Sequence, residues 1–129
     1  GFPGETEQDF QATLAAAREA GFSKIHIFPF SARKGTPAAE MPDQVPPEVK
    51  AERFDRLVAL ENELRDAFIA RLVGKTLRVL IESPSELDPA RVAGTSCRYA
   101  PVELVGHPRL RGQILAVTPT QFESGRLLA

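Results

Sequence analysis

Two regimes of hydrophobic spacing divide the chain. In the first half Phe10, Leu14 and Ala17 recur at three- and four-residue intervals, which predicts an amphipathic helix. Thr6 stands where an N-cap would, Asp9 three residues on completes a capping-box-like pattern, and Gly21 closes the helix. Glu5, Glu7 and Asp9 surround the positive end of the helix dipole, so capping is a simpler reading of this acidic trio than acid–base catalysis. Residues 24–28, KIHIF, are β-branched and aromatic and predict a short buried strand. Helix, Gly turn and strand form an αβ unit of the parallel α/β type. Such a strand needs parallel neighbours that the chain does not supply, so the unit reads as the closing segment of a larger barrel.

Residues 30–47, FSARKGTPAAEMPDQVPP, are expected to form a long loop with four prolines. It follows the C-terminal end of the strand, the end at which α/β barrels carry their active sites, which marks Ser31, Arg33, Lys34 and Thr36. The alternative is a surface connector. Pro47 suits a first helical turn, and Leu57, Leu60, Leu64, Phe68 and Leu72 then repeat at helical spacing up to Gly74. One such stripe more simply packs on neighbouring domains than builds a coiled coil.

Beyond Gly74 the period changes to two. Leu77, Val79 and Ile81 open a first strand, residues 86–93 read as a loop, and 96–104 and 113–117 read as strands. Residues 122–129 hold a last short strand, broken near Gly125. Strands this short and close together predict a small closed or nearly closed antiparallel β-barrel of the OB type. The expected class is α+β, with 1–46 an αβ remnant of a barrel, 47–73 a linking helix and 74–129 the small barrel.

Composition narrows the chemistry. A hydrophobic content of 43% with 26% charged residues is that of a soluble globular protein. No apolar run approaches the roughly 20 residues a membrane span needs. The single cysteine, Cys97, excludes an internal disulfide framework and a self-contained cysteine-ligated zinc or iron–sulfur site, and suits a reducing cytoplasm. Gly1 to Gly74 carry nine Lys and Arg against twelve Asp and Glu, whereas Lys75 to Ala129 carry seven against five. The second half is thus mildly basic, a pointer to a polyanionic partner. The opening Gly1-Phe2-Pro3-Gly4 is a turn with no Met and no strand before it, and the expectation is a C-terminal fragment.

Several motifs fail. Gly74-Lys75-Thr76 resembles the end of a phosphate-binding loop, but Ile69 stands where that loop needs Gly, and a strand rather than a helix follows. His26 and His107 have no metal-ligand spacing, and His26 reads as a hydrogen-bonded core residue, the alternative being that its end of the strand faces the active-site side. Cys97 reads as a small residue in a strand. The basic barrel is a better candidate: Lys75, Arg78, Arg98, Arg109 and Arg111 supply cations for phosphates, and Tyr99 and Phe122 supply rings for bases. Against this stands the reading of Phe122 as core and the arginines as solvated charges.

The segments GFPGETEQDF, KIHIFPFSARKGTPAAEMPDQVPPEVKAER, GKTLRVLIE and GTSCRYAPVEL, in that order, closely resemble the C-terminal part of the radical SAM methylthiotransferases, where a barrel precedes a TRAM domain. The wording HIFPFSARKGTPAAEM is most similar to the branch acting on N6-threonylcarbamoyladenosine beside the tRNA anticodon. Branches acting on isopentenyladenosine or on a ribosomal protein aspartate are close relatives. The resemblance implies a parent enzyme with 4Fe-4S clusters and S-adenosyl-L-methionine, inserting a methylthio group at an unactivated carbon. This chain lacks the cluster cysteines and is expected to be inactive alone, with no catalytic residue, metal ligand or complete cofactor site of its own. The resemblance assigns Gly1, Pro3, Gly4, Glu5, Ser31 and Arg33, with Gly35 and Thr36 beside them, to the rim of the cofactor site. It assigns tRNA binding to the TRAM part, hence to Lys75, Arg78, Arg98, Tyr99, Arg109 and Arg111. Arg98 stands where the family often has Asn, which adds a cation and removes any Asn-specific contact. A further expectation is self-association through the unpartnered strand at residues 25–28. A stand-alone RNA-binding module without catalysis is the alternative from another class.

Overall fold

The computed structural model describes all 129 residues, Gly1–Ala129, as two compact units, Gly1–Arg65 and Asp66–Ala129. The elements are α1 (Glu7–Ala20), α2 (Pro37–Glu40), α3 (Pro47–Ala70), β1 (Leu77–Pro84), β2 (Arg91–Ser96), β3 (Pro101–Val105), a 3-10 turn (Pro108–Leu110), β4 (Ile114–Val117), β5 (Gln121–Glu123) and β6 (Arg126–Leu128). The class is α+β, and α3 contributes to both units.

In the first unit the ends of α1 are as expected. Thr6 Oγ1 accepts from Asp9 N at 3.2 Å while Asp9 Oδ2 accepts from Thr6 N at 2.9 Å, so two orphan donors are satisfied reciprocally. Gly21 takes the left-handed conformation, φ 63°, and its N–H donates to Ala17 O. The buried stripe Phe10, Leu14 and Ala17 meets Leu60 of α3, with Leu57, Leu64 and Ile25 at its margin. At the start of α1 the Glu7 carboxylate accepts from Arg56 of α3 at 2.9 Å.

Two expectations for this unit are corrected. Residues 24–30 form no strand, and His26 and Phe28 are exposed, the latter at 84%. A strand exists only through ladder partners, and every strand of this chain belongs to the sheet of the second unit. His26 is therefore not a core histidine. Secondly, residues 30–47 are not wholly loop. Pro37 starts the single turn α2, preceded by Thr36, whose hydroxyl donates to Arg33 O at 2.8 Å.

The second unit is a six-stranded sheet in the order β4-β1-β2-β3-β6-β5. Leu77, Val79 and Ile81 of β1 face the core, while Arg78, Leu80 and Glu82 face solvent. Val79, Ile81, Val92, Val102 and Leu127 are essentially inaccessible, and Ile69 and Leu72 join their cluster. The expected strand at 96–104 is instead a hairpin. Ser96 ends β2, its Oγ accepts from the N–H groups of Arg98 (3.3 Å) and Ala100 (3.1 Å), and β3 begins at Pro101. The expected loop at 86–93 already contains the start of β2. Residues 122–129 split into β5 and β6 around Ser124 and Gly125, both at positive φ. The sheet is mixed rather than antiparallel, because β6 pairs with β3 in parallel (Val102 with Leu127). No ladder joins β5 to β4, so hydrogen bonds leave the sheet open.

Gly94 of β2 lies so close to β1 that a Cβ there would overlap the Leu80 carbonyl. Gly94→Ala should therefore lower unfolding stability by about 2–4 kcal/mol, read from urea denaturation; an unchanged midpoint would contradict the close approach.

Acid should weaken α1. The hydrogen bond from Arg56, then that from Gln11, holds the Glu7 carboxyl below its ordinary 4.5, and hydrogen bonds from the Thr6 side chain and backbone hold Asp9 below its ordinary 3.8. In both cases the unfolded chain binds the proton more readily. The stabilisation is complete above those ordinary values and is lost as pH falls through the lowered folded values. Asp9→Asn should be less stable than the parent at neutral pH and should flatten the acid limb of a circular-dichroism stability profile.

Candidate nucleic-acid interface and cofactor rim

The solvent face of β1 is built by strand alternation. Arg78, Leu80 and Glu82 project outward, and register sets Leu80 beside Ile114 of β4 on one side and Thr95 of β2 on the other. Glu82 Oε2 accepts from the Thr95 hydroxyl at 2.8 Å. At one end the turn after β2 is tied to β1 by Cys97 N donating to Arg78 O at 2.7 Å. Tyr99, with φ 58° and 92% exposure, stands on that turn. Arg78, Leu80, Glu82, Thr95, Tyr99 and Ile114 line one open depression of ≈ 360 Å³.

The six residues expected to bind RNA are all exposed, but they fall into two groups. Arg78 and Tyr99 share the depression, Arg98 lies on the same turn, and Lys75 precedes β1. Arg109 and Arg111 belong to the 3-10 turn and its C-cap, held to the middle of β1 by Gly112 N donating to Ile81 O at 2.8 Å. At about 3.3 Å per residue that is roughly 10 Å further along the strand. Phe122 is half-buried against the core, which removes it from the stacking candidates. Leu80 and Ile114 were missed; the available signal was a Leu in the outward phase of β1. His107 Nδ1 accepts from Arg109 N at 3.1 Å and caps the 3-10 turn. Cys97 is exposed in a turn rather than placed in a strand.

In the first unit the rim residues separate. Pro3 is buried, Gly4 takes φ 80°, and its N–H donates to Asp43 O at 2.9 Å. Glu5 is held by Arg53 of α3, whose Nη1 donates to Glu5 Oε2 at 2.7 Å and to Glu5 O at 3.2 Å. Arg53 is itself buried, its guanidinium 5.4 Å from the Phe10 ring centroid, with Nε 3.8 Å from Glu7 Oε2. The Phe2 and Phe30 rings meet edge to face at 5.2 Å, bringing the start of the FSARKGT segment beside the turn. Ser31 and Arg33 are exposed there. Arg53 was not singled out from the sequence, since nothing in its helical spacing separates it from neighbouring solvated arginines.

The donor set does not complete an iron–sulfur site, because one cysteine cannot provide the thiolates such a cluster needs. Nor do the rim residues alone enclose S-adenosylmethionine. The cavity touching Gly1 and Glu5 measures ≈ 100 Å³ and excludes Ser31 and Arg33, against about 300 Å³ or more for ordinary ligand pockets.

No family model matches the chain. Comparison with individual proteins is more informative. The chain is 39% identical over 117 residues, 91% of its length, to a tRNA-2-methylthio-N(6)-dimethylallyladenosine synthase of Desulfitobacterium hafniense. It is 41% identical over 127 residues, 98% of its length, to the Xanthomonas euvesicatoria protein of the same name, and 39% identical over 127 residues to that of Bordetella pertussis. These matches cover only 26–28% of each relative, so the chain spans about a quarter of the length of the curated relatives it matches. Through nearly its whole length, then, this chain is similar to a part of the tRNA-2-methylthio-N(6)-dimethylallyladenosine synthases.

Proposed function

We propose that the chain is the C-terminal, substrate-recognition part of a radical SAM tRNA methylthiotransferase, with residues 74–129 a TRAM-type module that binds tRNA. The observation that carries this reading is identity of about 40% over almost the entire chain to enzymes named for tRNA methylthiolation. The exposed Arg78 and Tyr99 around one depression, with Arg98 on the same turn, support the RNA-binding half of the proposal. In the parent enzyme, the Gly1-to-Glu5 turn and the FSARKGT segment belong to the mouth of the cofactor site. Arg53 serves there by fixing the Glu5 carboxylate and carbonyl. The clusters and S-adenosylmethionine supply the radical and sulfur chemistry; this chain presents the tRNA. No helix is long and apolar enough to cross a membrane, and a tRNA substrate implies the cytoplasm.

The HIFPFSARKGTPAAEM wording supports N6-threonylcarbamoyladenosine as the nucleoside. The relatives' names support a second reading, N6-dimethylallyladenosine. Incubating the full-length enzyme with tRNAs bearing each nucleoside, followed by nucleoside mass spectrometry, separates them. A methylthio group should form on the threonylcarbamoyl substrate; formation only on the dimethylallyl one selects the second reading, and formation on neither rejects the assignment to tRNA methylthiolation.

Binding of tRNA should weaken with salt, because phosphate contacts release counterions. Replacing Arg78, Arg98 and Arg111 together by Ala should lower the slope of log affinity against log salt by about 2–3. A filter-binding curve unchanged by the triple replacement would remove this face as the RNA surface.

A further inference from the structure

Tyr99 combines three features that folding alone does not account for. Its ring is 92% exposed, its backbone sits at φ 58°, and it is the only tyrosine of the chain. A bulky residue in the left-handed region is strained and persists where the surroundings enforce it. Here they do: Tyr99 N donates to Ser96 O at 2.9 Å, and Ser96 Oγ accepts from the N–H groups on either side of Tyr99, those of Arg98 and Ala100. The ring is thereby presented on a fixed turn. Next to it lies an exposed apolar strip, Leu80 (41%) beside Ile114 (64%). Arg78 adds a cation on the Tyr99 side of the depression, and Glu82 adds an anion four residues further along β1.

We infer that this depression is a subsite for one unpaired nucleobase, stacked on Tyr99 and floored by Leu80 and Ile114, with the adjoining phosphate at Arg78. The inference rests on the RNA-binding reading proposed above and sharpens it, since a basic face alone would accept any duplex. Its volume of ≈ 360 Å³ fits one base with its ribose. The phosphate is assigned to Arg78 because it is the one cation among the residues that line the depression. Base-aromatic stacking tolerates every base, so the subsite selects single-stranded or extruded nucleotides rather than a sequence.

The chain contains no tryptophan, so its tyrosine emission reports on Tyr99 alone. Titrating the 129-residue chain at low salt with a single-stranded oligoadenylate of about ten nucleotides, a length suited to a small β-barrel, should quench that emission as binding saturates. A blunt RNA duplex should leave the emission unchanged. Tyr99→Asn keeps a residue that tolerates positive φ but removes the ring, and should weaken single-strand binding about tenfold; Tyr99→Phe should bind nearly as the parent. Saturable binding with unchanged emission, equal quenching by the duplex, or a Tyr99→Asn affinity equal to the parent would overturn the subsite while leaving RNA binding by the face intact. Absence of any RNA binding at low salt would overturn the subsite and the RNA-binding reading together.

Discussion

The second unit depends on one pairing, that of β6 with β3. A sheet whose strands are three to eight residues long cannot bury a core unless its last segment returns to cover it. The chain does so by reversing at Ser124 and Gly125 and running β6 parallel to β3. Leu127, fully buried, is thereby placed against Val102, and Ala129 N donates to Glu103 O at 2.9 Å. The Arg126–Glu103 ion pair, at 2.6 Å, sits on the same junction. With β6 in place the inner face of β1 is enclosed, and its outer face becomes a defined surface.

The first unit depends instead on a buried guanidinium. Arg53 reaches from α3 to the turn before α1, donates to both a carboxylate and a carbonyl of Glu5, and lies against the Phe10 ring. Burying such a charge is tolerable only when anionic and carbonyl oxygens compensate it, and losing one partner would leave the other uncompensated. The consequence is a GFPGET turn whose geometry is coupled to α3 rather than left free. The proposed rim of the cofactor site gains from such pre-positioning.

These two constraints give the units different characters. One is a small, polar-clamped helical assembly whose segment at residues 24–30 lies extended without ladder partners. The other has a well-packed core and an outer face carrying apolar, aromatic and cationic side chains together. An apolar pair and a protruding ring on solvated strands cost solubility without adding to the core, which is why that face reads as a contact surface rather than as ordinary exterior.

Short-range chemistry was legible in the sequence. The capping box at Thr6 and Asp9, the Gly21 stop, the Leu stripe of α3 and the alternation of β1 all arise between residues a few positions apart, and all are present in the structure. So was the breakdown of the phosphate-loop motif at Gly74, which at φ 78° closes the turn after α3 and is followed by a strand rather than a helix. Tertiary structure decided the rest, because strands are defined by partners that local pattern does not name. KIHIF has every strand propensity and no ladder, while residues 91–96 pair on both sides despite reading partly as loop. The hairpin at Ser96 to Tyr99 and the parallel return of β6 depend on side-chain hydrogen bonds and positive φ angles that periodicity does not encode. The sequence thus named the cations and the ring. Only the register of three neighbouring strands, and the turn tied to one of them, brought Arg78 and Tyr99 around one depression, floored it with Leu80 and Ile114, and left Arg109 and Arg111 outside it.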